Sequence, residues 1–586
     1  MSQEIPKDTP KVDMDYDSDD YHYIKGWRQY ILTLSVALCM FLVNIEVSVV
    51  GTSLVSIGDE LHGFQQTGWV VTGYLITYTS KSPHPTNRPL LKADRIPTPG
   101  MIILWAKLSD IIGRKPVTTA TVTIFVIFSG GCAAAQSMTQ LIICRVFQGI
   151  GAAGCSSLAL IVAYEMVPKE QYPMQAAQLA AATAFGSLVG PLIGGGASQN
   201  SQWRWVFLFN VPAGLVTVVL LLITLPANFP HQGNPDYEAP SWGQRLSRPS
   251  LARLDITGAF LLLGATMLLV AVLLEGGVSI GWSSAAAIVT LTISGILWLA
   301  FVANEWFFTS DKHRTEPIFP WRFVQDRALM DTFIISLLSG IPYNILIMAI
   351  PQHFQTVAGL SPLAAGVRLL PFNLLISSAA VLINVVAGTT GIAPVYLILT
   401  GSVVQLVGIS LLCTLPTDGN SAIVPAAMYG YQMLAGCGIG CVFGILLQLP
   451  PRLVEKRDLA ISSGALLQFR VFGGALGLSI ATSAMNNYLT SHLPAVAEIS
   501  SGAGGGASAA HALLQSVGSV GELPPNVREQ VLRVLAEGFN LQMKIVAGFS
   551  GLQVLMVGML WRKNQIRVAD KKEKKEKKKW EQQPQE

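Results

Sequence analysis

Residues 186–195 read Gly-Ser-Leu-Val-Gly-Pro-Leu-Ile-Gly-Gly and lie inside a long apolar stretch. Gly186, Gly190 and Gly194 recur every fourth residue, so a helix would carry them on one face, where a neighbouring helix can approach backbone to backbone. Pro191 lacks an N–H group and clashes with the preceding turn, so it would bend that helix within the bilayer. An ordinary packing face of small residues explains the glycine spacing alone. The complete pattern predicts a specialised helix contact in a membrane bundle.

The composition of the chain excludes a soluble fold. Of its 586 residues, 51% are hydrophobic and only 13% are charged, whereas soluble domains carry about 25% charged residues. Apolar stretches near or above the ~20 residues that cross a hydrocarbon core recur fourteen times. Each stretch must satisfy its own backbone hydrogen bonds as a helix. We therefore predict an all-α polytopic membrane protein with fourteen spans.

The charged residues indicate how these spans are oriented. Basic residues gather in alternate connections, which the positive-inside rule places in the cytoplasm together with both termini. Residues 1–27 are polar and acidic, which predicts a disordered cytoplasmic tail rather than a signal peptide. Residues 563–586 are basic and predict a second cytoplasmic tail. We expect a plasma-membrane protein, with the vacuolar membrane as the alternative.

The spans divide into two halves separated by an insert. A six-helix half over 28–226 is followed by a cytoplasmic linker with two extra spans over 227–310, and by a second six-helix half over 311–562. A long outer loop is expected over 487–541, and its later part spaces apolar residues along one side. That part predicts an amphipathic helix, either on the outer surface or packed on the core. Repeat-built transporters place substrate between their halves.

The connection after the second span has a distinctive sequence. Residues 106–116 read Ala-Lys-Leu-Ser-Asp-Ile-Ile-Gly-Arg-Lys-Pro, in which a glycine suits a tight turn and the aspartate can pair with cations or cap a helix. A plain positively charged turn explains the basic residues but not the whole string. The string resembles the signature loop of the major facilitator superfamily, with Ala106 in place of the first glycine. The resemblance implies a gate latch formed with the other half by Asp110, Gly113, Arg114 and Lys115.

Two charged residues lie within otherwise apolar spans. Glu46 is in the first span and Arg145 in the fourth, where an unpaired charge is costly, so both side chains are expected to face the bundle interior. A static ion pair would satisfy them, and a carboxyl that titrates beside a cation would serve a proton-coupled carrier. The residues leave both interpretations open. The string 141–153 also resembles the superfamily's proton-coupling motif, and Glu46 stands where the family usually has Asp.

Further motifs narrow this resemblance. The glycine–proline stretch of the fifth span resembles the antiporter motif of superfamily exporters, whose positions are Gly186, Gly190, Pro191, Gly194 and Gly195. Residues 203–214 and 254–259 resemble motifs of the fourteen-span drug:proton antiporter branch. The resemblance covers about residues 28–562 and is greatest to fungal toxin-efflux carriers.

The resemblance implies a proton-coupled antiporter that exports amphipathic organic compounds, such as toxins, secondary metabolites or drugs, by alternating access. Polar side chains within the spans are candidates for a mainly apolar substrate cavity, and they are Gln148, Asn344, Asn373, Gln468 and Arg470. The expected partners are a small organic molecule, protons and the lipid bilayer, without nucleic acid, and we expect a monomer. The sequence has no Walker loop and no nucleophile elbow, so we expect no cofactor, no ATP-driven step and no enzymatic activity. No metal site is expected either.

Other functions stay open. A proton-coupled importer, for example of siderophores, or a vacuolar transporter would share the fold, and only the antiporter motif argues against the importer. A non-transporting membrane sensor would keep the fold but lose the coupling residues, whereas Glu46 and Arg145 are both present.

The second span is interrupted by a sequence that no membrane helix tolerates. Between Thr79 and Met101, residues 80–99 contain five prolines and five charged residues, namely Lys81, Arg88, Lys92, Asp94 and Arg95. The superfamily that the chain resembles has no such insert. As a functional loop, the segment would have to lie outside the bilayer while the chain still formed a complete span. We therefore predict that residues 80–99 are a translated, unspliced intron that is absent from the working protein. If they are retained, we expect a product whose transport fails or is severely weakened.

Overall fold

The computed structural model describes residues 23–562 except 62, 64–65, 80–100, 169–170, 200–201, 231, 233–255, 277–279, 309–318, 320, 418–423, 455–458 and 502–524. The described residues are almost entirely helical and contain no β-strand. In chain order the α-helices are α1 (Trp27–Glu60), α2 (Thr67–Thr79), α3 (Met101–Ile112), α4 (Arg114–Ala133), α5 (Met138–Glu165), α6 (Tyr172–Gln199), α7 (Arg204–Leu208), α8 (Asn210–Thr224), α9 (Ile256–Glu275), α10 (Ala285–Phe308), α11 (Trp321–Gln325), α12 (Arg327–Thr356), α13 (Pro362–Thr390), α14 (Pro394–Leu412), α15 (Ala426–Leu446), α16 (Pro450–Leu453), α17 (Leu459–Ser501) and α18 (Pro525–Val557).

The described part of the chain contains 12 helical segments that are long and apolar enough to cross a membrane. The predicted all-α membrane fold is therefore confirmed. The other two predicted spans are the interrupted second span and α9, where Phe260–Glu275 forms a shorter apolar helix. The count of fourteen stays a prediction. The predicted tails, apart from residues 23–27, and the linker residues 233–255 lie outside the described residues.

The outside of the bundle is apolar. On α10, Ile288, Ile296 and Leu299 are each more than half exposed, and on α8 the same holds for Leu215 and Ile223. An apolar surface of this extent marks contact with lipid rather than with water.

The helices form two halves that meet along a seam. Helices α1–α8 pack together as the N-terminal half, and α11–α18 pack together as the C-terminal half. Across the seam, α1 contacts α12, α6 contacts α13, and both α2 and α3 contact α17. Asn373 Nδ2 donates a hydrogen bond across the seam to the carbonyl oxygen of Ser187 at 2.7 Å. Helix α9 packs against α10, α2 and α17, so it covers one edge of the seam.

Both ends of the helical region lie at the same face of the bundle. Arg562, which follows α18, pairs with Asp326 at 2.5 Å, directly before α12 begins. Gln355 Nε2, near the end of α12, donates to the carbonyl oxygen of Thr52 at 3.1 Å, in the last part of α1. The start of α1 therefore lies at the face where α12 begins and α18 ends, which we name the terminal face.

The two pieces of the interrupted span occupy successive positions along α5. Gly73 of α2 lies against Ile142 and Val146, whereas Trp105 of α3 donates its indole N–H to the carbonyl oxygen of Ile150 at 3.0 Å. With 13 and 12 residues, α2 and α3 are about 20 Å and 18 Å long. Neither crosses a ~30 Å hydrocarbon core alone. The predicted intron lies outside the described residues.

The outer loop predicted over 487–541 is shorter in the structure. Helix α17 continues to Ser501 and α18 begins at Pro525. In these extensions apolar residues of α18 are buried, several of them against Leu489 and Leu493 of α17. The buried residues are Val527, Val531, Val534, Leu535 and Phe539. Of the two roles considered for this segment, the structure shows core packing.

Candidate functional site

A buried ion pair joins α1 to α5. Arg145 Nη1 contacts Glu46 Oε1, and neither residue is more than 1% exposed. Asn210, the first residue of α8, donates from Nδ2 to the second carboxylate oxygen of Glu46. Both oxygens of this carboxylate therefore have a hydrogen-bond donor, as a buried charge requires.

Further contacts hold Arg145 in place. Its Nε donates to the carbonyl oxygen of Val70 at 3.1 Å, and its Nη1 donates to Gln148 Oε1 at 2.9 Å. Its guanidinium lies over the Tyr74 ring, 4.3 Å from the centroid. Gln148 Nε2 in turn donates to Ser129 Oγ at 2.7 Å. Side chains or backbone of α1, α2, α4, α5 and α8 thus build one polar network inside the N-terminal half.

The chemistry of this network depends on the charge of Glu46. A proton on its carboxylate would leave the guanidinium of Arg145 without a counterion in a water-poor interior, which is strongly unfavourable. Protonation would favour an arrangement of helices in which Arg145 gains water or other partners.

A cavity lies between the two halves, lined by α1, α2, α5 and α6 on one side and by α12, α15 and α17 on the other. Its volume is about 100 Å³, whereas sites for drug-sized ligands measure roughly 300–1,000 Å³. The halves would have to separate to admit such a ligand. Asn344 and Arg470, two of the five polar residues singled out from the sequence, line this cavity.

The other three polar candidates lie elsewhere. Gln148 belongs to the ion-pair network, and Asn373 makes its hydrogen bond across the seam. Gln468 is buried in α17 outside the cavity lining. The lining also contains Asn44 and Tyr343, which are not among the candidates predicted from the sequence although both are polar residues within apolar helices.

The glycine face of α6 packs on α1. A Cβ on Gly186 would lie 2.8 Å from the carbonyl oxygen of Phe41, and a Cβ on Gly190 would overlap Ser48. On another face of α6, a Cβ on Gly195 would lie 2.7 Å from the Pro362 carbonyl oxygen, at the start of α13. Helix α6 is therefore held between α1 of its own half and α13 of the other.

The remaining residues of the glycine–proline motif take part in the same two contacts of α6, with α1 and with α13. A Cβ on Gly194 would overlap Thr52 of α1, and the carbonyl oxygen of Pro191 occupies the space left by Gly366 of α13. Pro191 lies inside α6, which continues to Gln199. The proline thus does not end the helix.

Replacing Gly190 by leucine is expected to separate α1 from α6 and to destabilise the protein. Overpacking of this kind costs about 1–3 kcal/mol, because the new side chain would occupy the position of Ser48. The thermal unfolding midpoint of the purified protein in detergent measures this loss. Gly196→Leu is the matched control on the same helix, since a Cβ there meets no atom within 4 Å. Equal midpoints for the two variants would contradict the proposed close contact.

The signature-like loop connects α3 to α4. Arg114 Nη1 lies 2.5 Å from Asp110 Oδ1, and its Nη2 lies 2.6 Å from Glu165 Oε1 at the end of α5. Gly113 has a φ of 112°, which a residue with a side chain adopts only with strain. Lys115 Nζ donates to the carbonyl oxygen of Leu222 at 2.7 Å. These contacts lie within the N-terminal half, so a latch with the other half stays a prediction.

Comparison with known proteins identifies the family to which this architecture belongs. Residues 36–308 match the family model described as Major Facilitator Superfamily. The MFS-type transporter FPY5 of Fusarium mangiferae is 34% identical over 538 residues, which cover 92% of this chain and 84% of that protein. This chain belongs to the major facilitator superfamily. The resemblance carried by the motifs is thus confirmed.

Further superfamily members share the sequence or the fold. The efflux pump FUS6 of Gibberella fujikuroi is 26% identical, with 90% of this chain and 87% of that protein covered. A bacterial homologue of the human lysosomal transporter Spinster, solved inward-facing and unoccupied, superposes with a TM-score of 0.58 at 15% identity. That match covers 92% of this chain and 100% of the homologue, and at this identity it shows the fold alone. The chain is a superfamily transporter with fungal efflux-pump relatives.

Proposed function

We propose that this superfamily transporter exports amphipathic organic compounds in exchange for protons. The observation that carries the proposal is the position of Glu46 on α1. Asn44 and Val47 of the same helix line the cavity between the halves, while Glu46 pairs with Arg145 behind them. A change in the protonation of Glu46 therefore acts on the wall of the substrate cavity through movement of α1 alone.

The proposed cycle alternates a substrate-loaded inward state with a proton-loaded outward state. A proton arriving from outside neutralises Glu46 and weakens its hold on Arg145. Because the glycine face couples α1 closely to α6, and α6 also contacts α13, movement of α1 acts on the other half. The loop around Asp110 and Arg114 serves as the latch of one state. The antiporter-like motif of α6 and relatives such as the efflux pump FUS6 support export as the direction.

We also propose that the carrier is a monomer in the plasma membrane, with both termini in the cytoplasm. Both ends of the helical region share the terminal face, which accords with termini on one side of the membrane. Cations near that face, including Arg114, Lys115 and Arg327, accord with its cytoplasmic location.

Inside-out vesicles containing the purified chain test the direction and the coupling. We expect an acidic lumen to drive accumulation of a dansylated fatty acid into the vesicles, because protons then leave as substrate enters. A protonophore should abolish that accumulation, and vesicles without the protein are the control. Accumulation driven by the opposite gradient would indicate import, and uptake that ignores the gradient would contradict proton coupling.

A further inference from the structure

The cavity between the halves has a charged side chain in one wall. Among the described residues that line it, only Arg470 of α17 carries a formal charge. Its guanidinium lies 3.5 Å from the centroid of the Phe443 ring and 5.0 Å from that of Tyr343. Two aromatic rings, from α15 and α12, thus fix the position of this cation at the cavity wall.

The opposite wall is mainly apolar and belongs to the N-terminal half. Helices α1, α5 and α6 contribute side chains that cannot compensate a charge but can cover a hydrocarbon body, among them Met40, Val43, Val47, Leu160 and Leu179. Small polar groups also line the cavity, including Asn44 of α1 and Asn344 of α12. The two halves therefore offer a ligand different chemistry.

We propose that this cavity binds amphipathic organic anions, above all carboxylates. The anionic group contacts Arg470 and the apolar body lies against α1, α5 and α6. A carboxylate would accept hydrogen bonds from N–H groups of the Arg470 guanidinium, in the bidentate geometry that arginine favours. A substrate cation in this small cavity would instead meet a like charge. The inference names the substrate class of the proposed exporter and rests on that function for its role.

Such a ligand would link the two halves. Its charge is held by α17 of the C-terminal half, and its apolar part by helices of the N-terminal half. Binding is then complete only when both halves are close to the ligand, which couples occupation of the cavity to movement of the halves.

Equilibrium binding to the purified full-length chain in detergent tests the anion preference. The probes are 11-(dansylamino)undecanoic acid, its methyl ester and the cation rhodamine 6G, followed by fluorescence. We expect the acid to bind about tenfold or more tightly than the ester, and Arg470→Gln to remove that difference. Arg470→Lys keeps the charge but not the paired donors. Its preference for the acid over the ester should therefore lie between that of the unmodified chain and that of Arg470→Gln.

The matched control is Arg533→Gln, which removes an equal charge from an exposed position on α18 and should leave the acid-to-ester ratio unchanged. The proposal would be overturned if the acid bound no better than the ester, or if it did not bind at all. Acid binding that is unaffected by Arg470→Gln would overturn it too. Tighter binding of rhodamine 6G would overturn it as well. Binding needs no proton gradient. Acid binding through Arg470 without gradient-driven export would contradict the proposed exporter alone, and export without acid preference would contradict the anion site alone.

Discussion

Removing both charges of the buried pair, with Glu46→Gln and Arg145→Gln together, is expected to abolish proton-driven accumulation while exchange of substrate down its own gradient continues. Glutamine has nearly the size of glutamate, and two amides can hydrogen-bond where the charges were. The double variant therefore leaves no unpaired buried charge, but it has no carboxyl to carry a proton. Vesicles measure both activities, with and without an imposed pH gradient.

Single variants should behave differently from the double variant. Arg145→Ala leaves Glu46 as an unpaired buried charge, and breaking a buried pair in this way costs about 3–5 kcal/mol. We expect a lower unfolding midpoint as well as lost coupling. Arg204→Gln is the matched control in the same half, because its pair with Glu60 is 41% and 37% exposed and such pairs contribute about 0–1 kcal/mol. Gradient-driven transport that survives in the double variant would remove Glu46 and Arg145 from the mechanism.

Deleting residues 80–99, with Gly100→Ser at the junction, is expected to raise the amount of membrane-inserted carrier and its efflux by about tenfold or more. Each charge at the centre of a span costs about 2.5–3.5 kcal/mol, and the segment carries five charged residues. The deletion joins α2 to α3, which already lie in succession along α5. Fluorescence of a C-terminal tag and efflux from whole cells give the two readouts.

Deleting residues 2–21 of the acidic tail removes an equal length and should give no such gain. Sequencing the transcript across codons 75–105 provides independent evidence. A message that retains all sixty nucleotides, together with a full-length carrier that exports as well as the shortened one, would show that the segment belongs to the working protein.

The helix contacts of α6 show what sequence can predict about this fold. The four-residue spacing of Gly186, Gly190 and Gly194 determines that a neighbour approaches closely, because no side chain keeps it away. The spacing does not say which helix approaches, since any backbone fits a glycine face. That the partner is α1, with α13 on another side, depends on the packing of the whole bundle.

The buried ion-pair network can be predicted from the sequence in part, again for a physical reason. A lone charge in an apolar span must face the interior, so Glu46 and Arg145 could be found individually. Asn210 and Tyr74 could not, because their side chains are tolerated in many environments. Gln148 is predicted to line the cavity, but it follows Arg145 by three residues and so shares its helix face. That spacing was the available signal for its place in the network.

The length of α17 and α18 has a practical consequence for imaging this carrier. With 43 and 33 residues, they are about 65 Å and 50 Å long, well beyond a ~30 Å hydrocarbon core. Their extensions are held together by the packed leucines and valines and by Tyr488, whose hydroxyl donates to Glu537 Oε2 at 2.5 Å. A compact carrier inside a detergent micelle offers electron microscopy few features for particle alignment. The paired extensions of α17 and α18 provide one, and an antibody fragment raised against them would report the orientation of the whole molecule.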